Sequence, residues 1–353
     1  MLEEDFMSTQ NEAKKHHYIP QFILRNFLND KGQLYYWNLK LNRLEERNPK
    51  SIFMNIDMYR DELNHSDNPT FIETTLSKFE MEISDLIKNR FLNSNKVIIT
   101  RAELEKLRIY LTLQSFRDNH RKGQYVNNSF DKATREVLSE YAVNDNFEDL
   151  WKREIEAIAQ CRSYQDIQES KVIDPIIKME FNNDWEGYFM SIVDVRGGEM
   201  LISDVYPTLE LYEYEIYNTP INIHLHEIIP ISPTRVILLN HIMFKSNNVN
   251  EYPFASLVKL SKIKGDMIVP PRNEYKYGPN VLSREDKYIY TVRKIYASDV
   301  QYLNSLILNE ARQGIMFRDF NKISASVREY NALDYKKQSY EKLEEELCRL
   351  NNN

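Results

Sequence analysis

Lys14-Lys15-His16-His17-Tyr18-Ile19-Pro20-Gln21-Phe22-Ile23-Leu24-Arg25-Asn26-Phe27 is the stretch around which the rest of the chain is organised. It sets two adjacent histidines, a proline, a glutamine and an arginine into a short apolar segment, where an ordinary structural element would separate polar from apolar residues by period. Upstream, residues 1–13 are polar, carry no periodicity and are expected to be frayed. Downstream, Asp30-Lys31-Gly32 has the composition of a turn and Gln33–Leu39 that of an aromatic-rich strand, so a short β element is expected near the N-terminus. From Asn48 to Asn68 the pattern weakens, with turn residues at Pro49 and Ser66-Asp67-Asn68-Pro69.

Helical order follows. Ile72, Leu76, Phe79, Ile83, Leu86 and Ile87 recur mainly at steps of three and four, which predicts an amphipathic helix from about Pro69 to Phe91. Glu73 and Glu80 lie two turns apart beside its apolar stripe; they read either as solvated flanking carboxylates or as groups available to a site. Thr100 with Glu103 has the form of a capping box. The helix it opens carries Leu104, Leu107 and Leu111, and the same spacing then arrives at Gln114 and Asp118, with Arg117 one turn from Gln114. A stripe that turns polar either emerges into solvent or lines a cavity, where burial would require partners for the charges. His120, Arg121 and Lys122 are expected to end this helix, in keeping with its dipole. Further helices are expected at Phe130–Val143, Phe147–Gln160 and Asp166–Phe181, the last with Pro175 as a break or boundary.

The texture changes at Trp185–Val193, which reads as a strand. Arg196-Gly197-Gly198 then reads as a hairpin turn into Met200-Leu201-Ile202. More strands are expected at Leu209–Tyr217, Ile221–Ile229, Arg235–His241 and Leu257–Ile263. Ser298 with Gln301 suggests a capped helix running to about Phe317, and a charged helix from Tyr335 to Leu350 would carry a thin stripe at Tyr340, Leu343, Leu347 and Leu350. The fold class is therefore α+β, a helical N-terminal lobe followed by a mostly antiparallel β region and C-terminal helices. The expected division is 14–182, a mainly helical lobe with the N-terminal β element; 183–318, a β-rich lobe closed by a helix; and 319–353, a charged helical extension.

No apolar run approaches the roughly 20 residues that cross a bilayer. The start of the chain, Met1-Leu2-Glu3-Glu4-Asp5-Phe6, lacks the apolar core of a secretory signal, so a cytoplasmic, membrane-free protein is expected. Cys161 and Cys348 are far apart and are expected to be free thiols. The net charge of -7 hides an asymmetry: 96–136 holds nine Lys/Arg against five Asp/Glu, whereas 137–220 holds six against eighteen. The basic 96–136 segment could meet nucleic acid, or it could dock on the acidic segment of the same chain.

His16-His17-Tyr18-Ile19-Pro20-Gln21-Phe22-Ile23-Leu24-Arg25-Asn26-Phe27 closely resembles the opening of the bacterial domain-of-unknown-function family numbered 4238. The order of later segments is similar to that family too: the Glu73–Glu80 helix, Gln114-Ser115-Phe116-Arg117, Ile202-Ser203-Asp204 with Pro207, and Ile229-Pro230-Ile231-Ser232-Pro233. The resemblance would cover residues 14–318, with Asn304–Phe317 as the closing helix; Val205-Tyr206 departs from it where the family tends to have Asn before the proline. It implies a map of positions and no reaction.

Gly-rich phosphate loops, nucleophile elbows, His-Glu-x-x-His and Cys-x-x-Cys are all absent. The candidate site residues are His16, His17, Gln21, Arg25, Gln114, Arg117, Ser203 and Asp204. Adjacent histidines on extended chain cannot face one point, so one of the pair would act as base or ligand, with Arg25 or Arg117 balancing phosphoryl charge. His224-Leu225-His226 would put two imidazoles on one strand face, a metal site only if a carboxylate such as Asp204 joined them. A divalent metal is therefore a possible cofactor with no named site. Two functions follow: a hydrolase acting on nucleic acid, as a bacterial defence effector or toxin, or a non-catalytic binding or scaffold module whose polar set is a structural network. The oligomeric state is not encoded in any recognisable signal.

Overall fold

The computed structural model describes residues 15–216, 219–245, 283–334 and 336–352. The frayed segment expected at 1–13 and the strand expected at Leu257–Ile263 lie outside the described residues. Contacts divide the chain into two interleaved units. Of the described residues, one gathers those up to Phe22 with Lys50–Leu86 and Ala102–Trp185; the other gathers Ile23–Pro49, Ile87–Arg101 and those from Glu186 onward. The contiguous lobes 14–182 and 183–318 expected from texture are thus cut differently, because 23–49 and 87–101 make their contacts within the unit that holds the larger sheets.

The first unit is helical. Its strand Lys15–His17 pairs antiparallel with Met54–Ile56, His16 opposite Asn55 and His17 opposite Met54. The helices Phe71–Leu86, Arg101–Phe116 and Phe147–Gln160 bury Ile72, Leu76, Phe79, Ile83, Leu107, Leu111, Leu150, Trp151 and Ile155. Helix ends follow short polar side chains that satisfy free N–H groups. Asp118 accepts from Arg121 N at 2.6 Å and starts the helix Asn119–Val126. Arg121 and Lys122 therefore open a new helix where they were expected to close the previous one, and Asp118 is a cap and no continuation of the Gln114 stripe. Asp131 caps Lys132–Ser139, shortening the expected Phe130–Val143 helix from both ends. The expected Asp166–Phe181 helix is two, Tyr164–Glu169 and Pro175–Gly187, with Pro175 in the first turn where its missing N–H costs nothing. That last helix takes in Trp185 and Glu186, and the strand read there begins at Tyr188.

The second unit is mostly antiparallel sheet. A five-stranded sheet runs in the order Arg293–Ile295, Tyr188–Val195, Arg235–His241, Thr219–Ser232, Thr208–Ile216, with only the first pair parallel. A four-stranded antiparallel sheet joins Arg43–Arg47, Leu34–Asn38, Gly314–Phe317 and Ile202–Ser203. Lys96–Thr100 pairs with Lys287–Thr291. The α+β class holds, while two C-terminal expectations change. The helix Ala297–Glu310 stops before Ile315 and Phe317, which stand in the strand Gly314–Phe317 with Ile315 opposite Trp37. Gly314 makes this possible: a Cβ there would lie 2.4 Å from the Tyr36 hydroxyl and 2.6 Å from the Trp37 carbonyl. The helix also starts two residues early, Asp299 Oδ2 accepting the Tyr296 N–H at 3.4 Å in the part expected of Gln301.

Residues 319–353 were expected as a charged extension. They form the helices Phe320–Asn331 and Glu341–Asn351, and Ile323, Val327, Tyr330, Tyr340, Leu343 and Leu347 complete the core that contains Trp37, Val193, Val236, Leu303 and Ile307. Tyr340 donates to the Leu308 carbonyl at 2.9 Å, and the Gln338 amide donates to those of Leu308 and Ala311 at 2.6 and 2.8 Å. Each large apolar side chain buried here contributes about 1.5–3 kcal/mol, so the segment belongs to the fold of this unit.

Candidate functional site

The predicted residues divide between the units: His16, His17, Gln21, Gln114 and Arg117 lie in the first, Arg25, Ser203 and Asp204 in the second. In the first unit the alternation of strand Lys15–His17 sends the two imidazoles apart. His16 is buried, its Nδ1 accepting the Tyr59 N–H at 2.8 Å, its ring stacked 5.6 Å from that of Tyr59. His17 keeps slight exposure and its Nδ1 lies 3.3 Å from the Gln21 amide nitrogen.

Arg117, at the end of the Arg101–Phe116 helix, ties these pieces together. It is 1% exposed. Its Nη2 donates to the His17 carbonyl at 2.9 Å and pairs with Glu80 Oε1 at 2.7 Å; its Nε donates to the Tyr18 carbonyl at 3.3 Å. The guanidinium lies 5.8 Å from the Tyr59 ring centre. After these contacts Nη1 has no hydrogen-bond partner among the described residues, and neither the Oε1 nor the Nε2 of Gln114, fully buried one turn earlier, has one there. Buried groups of this kind cost of the order of 1–3 kcal/mol each and call for an explanation.

Glu73 and Glu80 are not the solvated flank their positions suggested. Glu80 is the ion partner of Arg117, and Glu73 is partly buried with neither a hydrogen bond nor an ion pair among the described residues. Burial, and then the charge of Glu80, push the Glu73 carboxyl up to about 7, against the opposing pull of Arg117. A carboxyl poised there exchanges a proton at neutral pH, which suits general acid or base work. Sequence pattern missed Tyr59, which sits in the weak 48–68 stretch. It also misjudged Glu73 and Glu80; their seven-residue spacing was the available signal.

The second unit treats its predicted residues differently. Asp204 Oδ1 accepts the backbone N–H groups of Arg312, Gln313 and Gly314 at 2.9, 2.8 and 3.2 Å. The Ser203 hydroxyl closes on its own loop, donating to the Val205 carbonyl at 3.0 Å and accepting its N–H at 3.3 Å. The Asp204 carboxylate holds the turn into strand Gly314–Phe317, and the Ser203 hydroxyl holds its own loop. Arg25 is exposed at the end of the one-turn helix Gln21–Arg25. His226 Nδ1 lies 2.9 Å from Glu210 Oε2, and Tyr302 donates to Glu210 Oε1 at 3.0 Å. His224 is exposed, His226 is buried, and Asp204 is engaged by backbone, so the carboxylate that a two-histidine metal site would have required is not supplied by Asp204. Among the described residues no group of three or more His, Cys, Asp or Glu is placed to hold a metal ion.

The basic segment is largely engaged within the chain. Arg108 donates to the Asp184 carbonyl, Arg121 pairs with Glu180, and Arg101 lies 4.0 Å from Asp286. Cys161 and Cys348 are free, and burial pushes the Cys161 thiol up to about 12, away from nucleophilic use. A hollow of about 410 Å³ in the first unit, lined by Asp57, Arg60, Asp61, Glu148, Asp149 and Lys152 among others, contains none of the predicted residues. No helix among the described residues is long and apolar enough to cross a membrane.

A family model described as Protein of unknown function (DUF4238) matches residues 15–321. The chain belongs to that family. The match begins at the strand bearing His16 and His17 and ends at the start of the Phe320–Asn331 helix, so the DUF4238 region contains the whole Glu73–Arg117 cluster, while the two terminal helices that finish the second core lie almost entirely beyond it. Where the DUF4238 resemblance implied a closing helix to Phe317, the helix ends at Glu310. No curated protein and no solved structure matches the chain.

Proposed function

We propose that the protein is a hydrolase acting on nucleic acid, with its acid–base chemistry in the first unit. Glu73 is the general base that takes a proton from the attacking water, Arg117 supplies the positive charge that orients the group, and His17 with Gln21 forms the adjoining polar edge. The observation that carries this is Glu73: a carboxyl with no hydrogen-bond or ion partner among the described residues, poised near neutrality beside a buried guanidinium that keeps an unused donor there. A phosphodiester substrate fits the unused positive group and the His/Arg complement of the N-terminal motif. On this proposal the biological role is that of a bacterial, cytoplasmic defence effector or toxin, with a divalent metal as the cofactor to test.

A second function has a specific observation in its favour. Most of Arg117's donors end on its own chain, at two carbonyls and Glu80, which suits a non-catalytic binding or scaffold module equally well. Incubating the protein with labelled RNA and DNA, with and without divalent metal, separates the two. Cleavage that rises through pH 7 and falls roughly 10²–10⁴-fold in Glu73→Gln, with folding retained, supports the hydrolase. Binding without turnover, or turnover indifferent to Glu73, supports the module.

A further inference from the structure

A second set of ionisable groups in the first unit lies outside the Glu73–Arg117 cluster. Glu154, on the helix Phe147–Gln160, and Asp174, just before the helix Pro175–Gly187, are both wholly buried. One oxygen of each is committed to backbone. Glu154 Oε1 accepts the Asp174 N–H at 3.0 Å, and Asp174 Oδ1 accepts the N–H groups of Ile176 and Ile177 at 2.6 and 3.1 Å. The remaining oxygens, Glu154 Oε2 and Asp174 Oδ2, receive no hydrogen bond from any N–H or hydroxyl donor among the described residues, while the Asp174 N–H on Glu154 Oε1 holds the two groups together. Two carboxylates so placed would leave two buried like charges, each with an unmatched oxygen. One carboxylic acid and one carboxylate avoid this, and a single proton between the two side chains satisfies both orphaned atoms at once.

We propose that one proton shared by Glu154 and Asp174 clasps the start of the Pro175–Gly187 helix onto the Phe147–Gln160 helix, and that its loss in alkali releases that helix. The titratable groups facing the pair are Arg121 and Tyr125, from the helix Asn119–Val126, and Glu180, one helical stretch beyond Asp174. Arg121 is held by Glu180, so it does not neutralise the pair by a direct contact. Burial, then the charge and hydrogen bond of Asp174, push Glu154 well above the ordinary carboxylate range, which keeps the proton in place at neutral pH. The same helix is also moored through Lys178 to the Ser170 carbonyl, through Glu180 to Arg121 and through Asp184 to Thr112, and the clasp ties its first turn to the Phe147–Gln160 helix.

The sign follows from linkage. The folded state holds this proton more tightly than the unfolded chain, so the clasp's stabilisation is complete below about pH 4.5 and is lost as pH rises towards the pair's own titration. Melting of wild type, Glu154→Gln and Asp174→Asn across pH 5–9 tests it. Either amide donates the missing hydrogen bond at every pH. The folding constant of wild type should therefore fall relative to each variant, by up to tenfold per pH unit. Parallel pH profiles for wild type and both variants would overturn the proposal. Should neither variant fold, infrared spectroscopy of Glu73→Gln at pH 8.5 decides: a protonated-carboxyl stretch supports the clasp, and a spectrum of carboxylates alone ends it.

Discussion

Arg117 in the first unit and Asp204 in the second are both buried charged residues drawn from the same predicted set, and the protein uses them in contrasting ways. Asp204 is matched: one oxygen collects three consecutive N–H groups, and Ser203 beside it closes its own turn. Arg117 is over-supplied. It staples the His17 and Tyr18 carbonyls to Glu80, then keeps a donor over, with an unpaired Gln114 amide one turn away and an unpartnered Glu73 carboxyl beside it. The difference teaches where to look for chemistry. Matched buried groups hold a fold together, whereas groups left unmatched lower stability and are retained where they do something else.

Substitutions at four positions would break or sharpen that contrast. The largest effect is expected at Arg117→Met, which strands Glu80 and two carbonyls and should cost about 3–5 kcal/mol in denaturant unfolding. Asp204→Ala should follow at about 2–3 kcal/mol, since three backbone N–H groups lose a charged acceptor, and Asp204→Asn should recover part of it by keeping the oxygen. Glu73→Gln should act in the opposite direction. Its carboxyl is raised from 4.5 to about 7, so the folded state loses up to about 3 kcal/mol as pH rises across that interval, and the amide avoids the loss. Melting at pH 8 should therefore improve while melting at pH 4 stays unchanged. The smallest change, at most about 1–2 kcal/mol and stabilising, is expected for Gln114→Met, which removes an unpaired amide while nearly conserving its volume. A loss of stability at Glu73→Gln or Gln114→Met would mean that these groups are matched after all.

How much of this was legible in the sequence depends on the range of the interaction concerned. Helices and most strands were, because their signals are local: the stripe Ile72–Ile83, the turn at Gly197, the apolar run through Arg235–His241. The hairpin expected at that turn does not form, because Tyr188–Val195 and Ile202–Ser203 pair in different sheets. The helix ends moved wherever a capping residue outvoted periodicity, as at Asp118 and Asp131. Ile315 and Phe317 were misread as helix because their strand exists through pairing with Leu34–Asn38, about 280 residues earlier, and with Ile202–Ser203, over 100 residues earlier. The terminal 319–353 stretch was taken for a solvated extension because charge dominates its composition, and its thin stripe gives no sign of the core waiting for it. At the candidate site His17, Gln21, Gln114 and Arg117 were visible as polar residues inside apolar elements. Glu73 was visible and set aside, since a carboxylate beside an apolar stripe is ordinarily solvated, and only its burial near Glu80 and Arg117 distinguishes it. Asp204 was chosen for the same irregularity as Arg117. Pattern alone could not say that its partners would be backbone.

The titration of Glu73 tests the account most directly. Carboxyl-carbon NMR of the folded protein should place its midpoint near 7, well separated from the ordinary carboxylates, and replacing Arg117 with Met should move it higher, because the opposing cation is gone. A midpoint near 4.5 that ignores Arg117 would contradict the account.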